Sequence, residues 1–493
     1  MRKYLFLFLA AAVLFGCSYE DNDAQFGRLD NGYSGPGPNY NPEGETYAEI
    51  IENPFVETAE EPTSTFSIDA DGASYSNVRR FLNDGILPPP DAVRTEELIN
   101  YFDFNYAGPE GPHPIGLNGE VSRCPWAPEH KLIRIGIKGE AIEQEEVPPA
   151  NLVFLIDVSG SMRAVNKLPL LQEGFRLLVE ELSAEDRVAI VTYAGSAGLL
   201  LPATAGDQKA TILEAIDGLS AGGSTAGAEG IITAYEIAQN NFIEGGNNRV
   251  ILATDGDFNV GPSSRDALVE LIEEKRELGV FLTVLGFGTG NLNDEGMEQL
   301  ANNGNGTYEY IDNLNQARKV MVEEIGKLYY VAKDVKVQVT FNPEVVEAYR
   351  LIGYENRVLA NEDFEDDEED AGEIGSGQSV TALYEIKPAN GGSSLLTPSF
   401  TINFRYKLPD SEESTLLSLD VNDSNQAFYD ASAHMRFAAG VASFGLLLRD
   451  SEYKGEASFE QIYEWCGTAT GYDPNGYRAE FLELVLKAKD LSE

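Results

Sequence analysis

Histidine and cysteine are scarce in this sequence, which has three of each among its 493 residues. His113, His130 and His434 all stand far along the chain from the motifs described below. Cys124 and Cys466 belong to no recognisable nucleophile motif, and no G-x-S-x-G elbow is found at the serines discussed below. Catalysis is therefore disfavoured, although the abundant carboxylates leave hydrolysis as an alternative.

Basic residues are also in short supply. The chain has 35 Lys and Arg against 81 Asp and Glu, which gives a formal net charge of −46. Because binding to phosphate requires clustered Lys and Arg, this balance argues against nucleic acid and anionic lipid surfaces as partners. Solubility is the simplest reason for the charge, and attraction of cations or basic partners is the alternative. The chain length predicts two or three domains.

The longest apolar run lies at the amino terminus, at residues 4–15, and follows two basic residues. It is short for a helix that crosses a bilayer. The run leads into Leu14-Phe15-Gly16-Cys17, which resembles a bacterial lipoprotein signal with Cys17 as the lipidated residue. Phe15 departs from the small or β-branched residue usual at its position. An ordinary cleaved signal or a membrane-anchoring helix is the alternative.

A lipid anchor at Cys17 predicts attachment of the protein to the cell envelope. Ser18 does not favour retention at an inner membrane, and Glu20, Asp21 and Asp23 resemble the surface-export signals of some outer-membrane lipoproteins. We therefore expect the outer membrane, with the periplasmic or surface-exposed face left open.

The two remaining cysteines, Cys124 and Cys466, lie far apart in the sequence. The envelope permits a disulfide, but nothing in their spacing shows that they meet. Both the bridge and two free thiols remain open.

The most informative stretch of the chain is residues 152–162. Its apolar first half predicts a strand buried on both faces, as in a parallel sheet covered by helices. Asp157, Ser159 and Ser161 follow at alternating positions, beyond the strand end where open α/β sheets bind ligands. One carboxylate and two hydroxyls suit a hard cation such as magnesium, and they include none of the His or thiolate ligands typical of zinc.

Two further oxygen donors stand beside other predicted strands and helices. Thr225 ends a Gly-rich turn directly before a predicted helix, and the glycines allow close approach of the backbone. Asp255 follows an apolar predicted strand within the sequence Thr254-Asp255-Gly256. The structural alternative is that these residues only cap helices and tighten turns.

Together these motifs resemble the metal-ion-dependent adhesion site of a von Willebrand factor type A (VWA) domain. The resemblance implies that the hydroxyls of Ser159, Ser161 and Thr225 contact magnesium, with manganese or calcium as alternatives. It also implies that Asp157 and Asp255 hold coordinated waters. An open position on the metal can then accept a carboxylate from a partner protein.

The resemblance extends beyond the metal-site motifs. Residues 64–69, 87–94 and 124–126 look like the leader region of bacterial VWA lipoproteins, and the tail of the chain looks like theirs. Those proteins are mostly uncharacterised, so this part of the resemblance predicts architecture more than function.

After Pro148-Pro149 the pattern alternates between strand and helix, which is typical of a mostly parallel, doubly wound sheet. The predicted strands are residues 152–156, 187–193, 249–254, 280–287 and 307–311. The predicted helices are residues 167–182, 207–219, 226–239, 263–277 and 314–328. We therefore predict an α/β, Rossmann-like VWA fold, flanked by an antiparallel β domain and terminal helices.

Strand patterns also flank this α/β segment. Residues 131–138 predict a half-exposed antiparallel strand, and four more candidates follow at residues 335–341, 379–386, 399–406 and 414–421. We hypothesise that strands before Pro148 and after Lys333 form one β domain into which the α/β domain is inserted. Further helices are predicted at residues 74–83, 93–102, 428–448 and 477–488.

The resulting domain plan has six parts. They are a signal (residues 1–17), a flexible tether (18–52), an N-terminal helical and β region (53–148), the VWA domain (149–330), a β-sandwich-like region (331–425) and a C-terminal helical region (426–493).

Two acidic stretches leave calcium binding as a minor alternative. Asp69 and Asp71 precede a predicted helix, and we favour a helix cap over calcium ligation. Residues 362–370 are almost entirely acidic or polar, and we favour a solvated loop over a low-affinity calcium patch.

The leading functional hypothesis is a non-enzymatic, envelope-anchored module for adhesion or complex assembly. It would bind an acidic residue of a protein ligand through its metal. One alternative is a hydrolase whose metal polarises a phosphoryl or acyl oxygen. The other is a scaffold protein whose metal site is structural.

Overall fold

The structure is a computed structural model that describes residues 44–68, 71–143, 146–223, 227–256, 265–369, 371–389 and 398–493. The predicted signal with Cys17, most of the predicted tether, and the residues Asp69, Thr225 and Asp370 lie outside these ranges. In the described part of the chain, no helix combines the length and the apolar character that crossing a membrane requires.

The elements that precede the α/β segment are strands and two helices. In chain order they are β1 (Val56–Glu57), β2 (Thr63–Ser67), α1 (Ala73–Asn83), α2 (Thr95–Asn100), β3 (Ile115–Arg123) and β4 (Lys131–Gly139).

The α/β segment alternates strands and helices, as the sequence pattern predicts. Its elements are β5 (Ala150–Asp157), α3 (Leu168–Glu181), β6 (Arg187–Tyr193), β7 (Ala197–Ala205), α4 (Lys209–Asp217), α5 (Ala228–Asn240), β8 (Asn247–Thr254), α6 (Arg265–Glu277), β9 (Val280–Phe287), α7 (Asp294–Asn303), β10 (Tyr308–Ile311) and α8 (Leu314–Arg318). The strand order is β10-β9-β8-β5-β6-β7, and every pairing is parallel except that of the edge strand β7. The predicted α/β fold with a mostly parallel sheet is therefore confirmed.

Three features of this segment differ from the prediction. Strand β7 is not among the predicted strands, because it is largely exposed and bulged and lacks a regular alternation of apolar residues. Helix α7 is not among the predicted helices, because it is rich in Asn and acidic residues and buries few apolar side chains. The single helix predicted at residues 314–328 is wrong, because a π-helical turn (Lys319–Glu323) and a 3-10 turn (Ile325–Leu328) follow α8. Within that last turn, Gly326 packs against the carbonyl group of Ser376 from the β region.

The remaining elements are seven strands and three helices in the described part of the chain. They are β11 (Tyr330–Phe341), β12 (Val346–Ile352), β13 (Val358–Leu359), β14 (Gly372–Gly375), β15 (Ser379–Pro388), β16 (Phe400–Lys407), β17 (Ser414–Val421), α9 (Ala433–Leu448), α10 (Phe459–Gly467) and α11 (Tyr477–Ser492).

Strands from both sides of the α/β segment lie in the same two antiparallel sheets. One sheet has the order β1-β12-β15-β4-β3, and the other has the order β13-β2-β11-β16-β17, with β14 paired to β11. Thus β4 pairs with β15, and β2 pairs with β11, across the whole inserted segment. This is the arrangement that the insertion hypothesis requires.

The prediction that residues 131–138 form a half-exposed strand is wrong, because β4 is buried along nearly all of its length. Ile133, Ile135 and Ile137 lie in the core between the two antiparallel sheets. Leu132, on the other face of the strand, lies in a second core, which includes Trp126 and Phe437 of α9. Phe437 lies about 300 residues further along the chain, so the strand's own pattern does not reveal this core.

Helices α1, α2, α9, α10 and α11 share this second core. Phe437, Val441 and Phe444 of α9 are buried there beside Phe481 of α11. Cys124 and Cys466 both lie in this core as free thiols, so the structure favours the unbridged alternative. Burial raises the pKa of each thiol above its ordinary value.

The favoured helix-cap role is wrong for Asp71. Its carboxylate accepts a hydrogen bond of 2.9 Å from the backbone nitrogen of Tyr308 in β10. In the first turn of α1, the backbone nitrogen of Ser74 instead donates to Glu97 of α2 at 2.7 Å. Asp71 therefore ties the N-terminal region to the α/β sheet.

The acidic run is largely exposed but is held by basic residues of β11 and β16. The carboxylate of Asp367 lies 3.1 Å from Arg405. Lys336 donates to the carbonyl oxygen of Asp363 at 3.0 Å, and Lys407 donates to that of Asp367 at 2.8 Å. The run therefore consists of a 3-10 turn (Asn361–Phe364) and a loop, both held by basic side chains rather than surrounded by solvent alone.

Candidate metal-binding site

The register of the parallel sheet places the D-x-S-x-S and T-D-G motifs side by side. Ile156 of β5 pairs with Ala253 of β8, and Asp157 pairs with Tyr193 of β6. Because parallel strands end at the same edge of a sheet, Asp157 and Asp255 both emerge there. Both carboxylate residues are fully buried, with exposed fractions of 0%.

The D-x-S-x-S loop folds back on its own first residue. The carboxylate oxygen Oδ1 of Asp157 accepts a hydrogen bond of 2.7 Å from the backbone nitrogen of Ser159. The hydroxyl oxygens of Ser159 and Ser161 lie 2.8 Å apart. Ser159 is buried and Ser161 is exposed, so this pair of hydroxyls reaches from the buried carboxylates to the surface.

The Gly-rich turn that precedes Thr225 docks onto this loop. The backbone nitrogen of Gly222 donates to the carbonyl oxygen of Val158 at 2.7 Å, and that of Gly160 donates to Gly223 at 3.2 Å. Gly223 has a φ of +98°, a backbone conformation that favours glycine. Thr225 itself lies outside the described residues, so its hydroxyl remains a predicted ligand.

The carboxylate of Asp255 has a lysine on one oxygen. The ammonium nitrogen of Lys167 lies 2.7 Å from Oδ2 of Asp255 and 3.0 Å from Oδ1 of Asn291. The other oxygen of Asp255, Oδ1, is buried and has no hydrogen-bond partner among the described residues. The site therefore has an acceptor that the described protein groups leave unused.

The sequence motifs do not point to Lys167 or Asn291. Lys167 directly precedes α3, where a positive charge opposes the helix dipole. This unfavourable position is the one local sign that Lys167 has a role outside the helix. Asn291 lies in a loop far along the chain and carries no local sign. Their meeting depends on the tertiary fold.

Tyr193 is a further residue of the site that the sequence motifs do not identify. Burial raises the pKa of its hydroxyl well above the ordinary value, and the carboxylates of Asp157 and Asp255 raise it further. The hydroxyl of Thr254 acts in the opposite direction. Tyr193 therefore stays protonated beside the two carboxylates.

The donor groups fit a hard cation better than a soft one. Two carboxylates and two hydroxyls are oxygen ligands of the kind that magnesium, manganese and calcium take. In the ranges that the structure describes, no group of three or more His, Cys, Asp or Glu side chains could hold a metal ion. A cation at this edge would therefore depend on hydroxyl as well as carboxylate oxygens.

Three family models match consecutive parts of the chain. Residues 41–134 match a model described as von Willebrand factor, and residues 151–340 match the von Willebrand factor type A domain. Residues 326–491 match a model described as the C-terminal part of the uncharacterized protein YfbK. The α/β segment is thus a VWA domain.

A relative along nearly the whole chain is the uncharacterized protein YfbK of Escherichia coli (strain K12). The two are 42% identical over 477 residues, which cover 92% of this chain and 82% of the relative. This chain therefore belongs to the YfbK family.

More distant likenesses concern smaller parts or lower identities. An uncharacterized protein of Synechocystis is 27% identical over 187 residues, which cover 38% of this chain and 43% of that protein. A structure of the conserved hypothetical protein BatB from Bacteroides thetaiotaomicron is 25% identical, with a TM-score of 0.31, and covers 36% of this chain and 98% of its own. A von Willebrand factor type A structure from Catenulispora acidiphila is 13% identical, with a TM-score of 0.44. The match covers 78% of this chain and 91% of that chain.

Proposed function

We propose that this chain is an envelope-anchored, non-enzymatic module for adhesion or complex assembly. A magnesium ion at the edge of the VWA sheet would bind an acidic group of a protein partner. Asp157, Ser159, Ser161, Thr225 and Asp255 would hold this ion, with manganese or calcium as alternatives. The VWA domain itself supports a role in protein interaction or adhesion.

The observation that carries the proposal is the unused Oδ1 oxygen of Asp255. A buried acceptor without a partner costs free energy, on the order of 1–3 kcal/mol. The carboxylate of Asp157 is buried at the same sheet edge, and a divalent cation there would take oxygen ligands of this kind. The exposed hydroxyl of Ser161 supports access from the surface.

The proposal of a non-enzymatic role is supported by the positions of the histidines. None of the three occurs in the sequence of residues 149–330. His130 contacts Glu385 at 2.6 Å, and His113 contacts Tyr406 at 2.9 Å, both in the β region. His434 lies against Tyr106 in the helical core, where desolvation lowers its pKa.

Affinity capture from envelope extracts tests the protein-binding part of the proposal. The purified chain should retain a partner in the presence of Mg²⁺ and release it when a chelator is added. Asp157→Ala and Thr225→Ala should abolish capture while the circular dichroism spectrum stays unchanged. Asp217→Asn is the matched control, because it removes an exposed carboxylate whose ion pair with Arg176 is also exposed. Capture that persists in chelator would overturn metal-dependent binding.

The lipid anchor has a separate test. Metabolic labelling with a radioactive fatty acid should modify the full-length chain and place it in the membrane fraction. Cys17→Ser should abolish the label and release the protein, whereas Cys124→Ser should leave both unchanged. Labelling that survives Cys17→Ser would contradict anchoring at this residue.

A further inference from the structure

A buried ammonium group stands beside the proposed cation site. Lys167 is 6% exposed, and its nitrogen lies 2.7 Å from the carboxylate of Asp255. A lysine in this position repels a second cation, so it opposes the binding that the two carboxylates favour. The structure nevertheless holds it firmly in place.

Three contacts fix the position of Lys167. Its ammonium group is shared between Asp255 and the amide oxygen of Asn291. Its aliphatic chain crosses Gly288, where an added Cβ would overlap Cε of the lysine. Gly288 has a φ of +77°, and its carbonyl oxygen accepts a hydrogen bond of 2.6 Å from Tyr310. The loop is therefore shaped to let the lysine reach Asp255.

The charges at this edge give the lysine a consequence. Asp157 and Asp255 contribute two negative charges, Lys167 contributes one positive charge, and the serine hydroxyls are neutral. With a divalent cation in place, these groups carry one net positive charge. Without the lysine the same groups would be neutral, and the electrostatic attraction for an anionic group would be weaker.

We propose that Lys167 sets the charge balance of this site, weakening its hold on the cation and strengthening the bound cation's attraction for an anionic partner group. The inference rests on the proposed function, since it requires a divalent cation at Asp157 and Asp255. It deepens that function by giving a reason for a partner with a carboxylate rather than a neutral side chain. Lys167 acts here through Asp255, as a positioning and charge-setting residue.

Titration of the purified chain with Mn²⁺, followed by electron paramagnetic resonance of the free ion, tests the proposal. Lys167→Met should bind Mn²⁺ roughly tenfold or more tightly than the wild type, because one repulsive charge is removed. Lys167→Arg keeps the charge and should stay within about threefold of the wild type. Equal or weaker binding by Lys167→Met would overturn the proposal.

A second experiment measures the affinity of the protein for an anionic group in the presence of saturating Mn²⁺. The probe is a short peptide that contains one Glu, compared with the same peptide containing Gln. The wild type should prefer the Glu peptide, and Lys167→Met should lose most of that preference. A preference that Lys167→Met retains would contradict the role of the lysine.

Two outcomes separate this inference from the proposed function. If the wild type binds no Mn²⁺, the proposed function fails. If the wild type binds Mn²⁺ and Lys167→Met matches it, only the inference fails. Where Lys167→Met does not fold, Lys167→Gln removes the charge but keeps a polar group in the buried position, and it gives the same comparison.

Discussion

Arg79 and Lys167 are both buried cations, but their surroundings differ in one respect. The guanidinium group of Arg79 makes five hydrogen bonds, as many as it has N–H groups. The oxygens come from Asp312 and Gln316 of the VWA domain, Tyr101 next to α2, and Glu480 of α11. Around Lys167, by contrast, the carboxylate of Asp255 keeps one buried oxygen without a partner among the described residues.

This difference distinguishes a structural ion cluster from a candidate binding site. At Arg79 the donors and acceptors match, and the bonds join the N-terminal helix, the VWA domain and the C-terminal helix. At the sheet edge, Oδ1 of Asp255 accepts no hydrogen bond from the described residues, so this oxygen can take a cation without losing one of the described bonds. Removing Arg79 should therefore change stability, whereas changing Asp157, which has no ion pair with Lys167, should chiefly change metal binding.

The largest expected effect follows from Arg79→Met. It leaves Asp312 buried and without its ion pair, and breaking such a buried pair costs about 3–5 kcal/mol. Urea unfolding should show a loss of this size, with Mn²⁺ affinity unchanged for the fraction that stays folded. A loss below about 1 kcal/mol would show that the cluster is not structural.

The next effect concerns Glu309 of β10, a buried carboxyl group that accepts a long hydrogen bond of 3.4 Å from the side-chain amide of Gln316. Burial raises its pKa from 4.5 to about 7 in the folded protein. Its contribution to stability is therefore present below about pH 4.5 and is lost as the pH rises through 7. Glu309→Gln should remove this loss and be more stable above pH 7 by up to about 3 kcal/mol.

Unfolding of Glu309→Gln and the wild type at several pH values measures this difference. The two proteins should have similar stabilities below about pH 4.5 and should diverge between pH 4.5 and 7. Parallel pH profiles would show that the carboxyl group is not the cause.

A smaller effect is expected from the proposed cation itself. Mg²⁺ at ten times its dissociation constant should raise the free energy of unfolding by about 1.4 kcal/mol. Chelator should remove this increment from the wild type and have no effect on Asp255→Asn. An increment that Asp255→Asn retains would place the ion elsewhere on the protein.

The smallest effect should come from the exposed pair Arg176 and Asp217. Arg176→Ala should change stability by less than about 0.5 kcal/mol, because exposed ion pairs are screened by water and salt. A change as large as that of Arg79→Met, in the same urea assay, would remove the distinction between buried and exposed pairs.

The sequence predicts the features that have local signals. The strand at residues 187–193 and the donors Asp157, Ser159, Ser161 and Asp255 follow from apolar runs that end in polar residues. The burial of β4 does not, because Phe437 of α9, which shares a core with Leu132 of β4, lies about 300 residues further along the chain.

The same limit applies within the site. Lys167 and Asp255 are 88 residues apart, and Lys167 and Asn291 are 124 apart, so no sequence window contains either pair. The glycine that admits the lysine, Gly288, is recognisable only from its φ and from the chain that crosses it. The charge balance of the site is therefore a property of the fold.

The central claim is that Asp157 and Asp255 at the VWA sheet edge, where Oδ1 of Asp255 has no partner among the described residues, form a divalent-cation site. Isothermal titration calorimetry of Mg²⁺ into the purified wild type and into Asp157→Ala tests it most directly. We expect saturable binding of one ion to the wild type and none to Asp157→Ala, with both proteins folded. Equal binding by the two proteins, or none by the wild type, would contradict the claim.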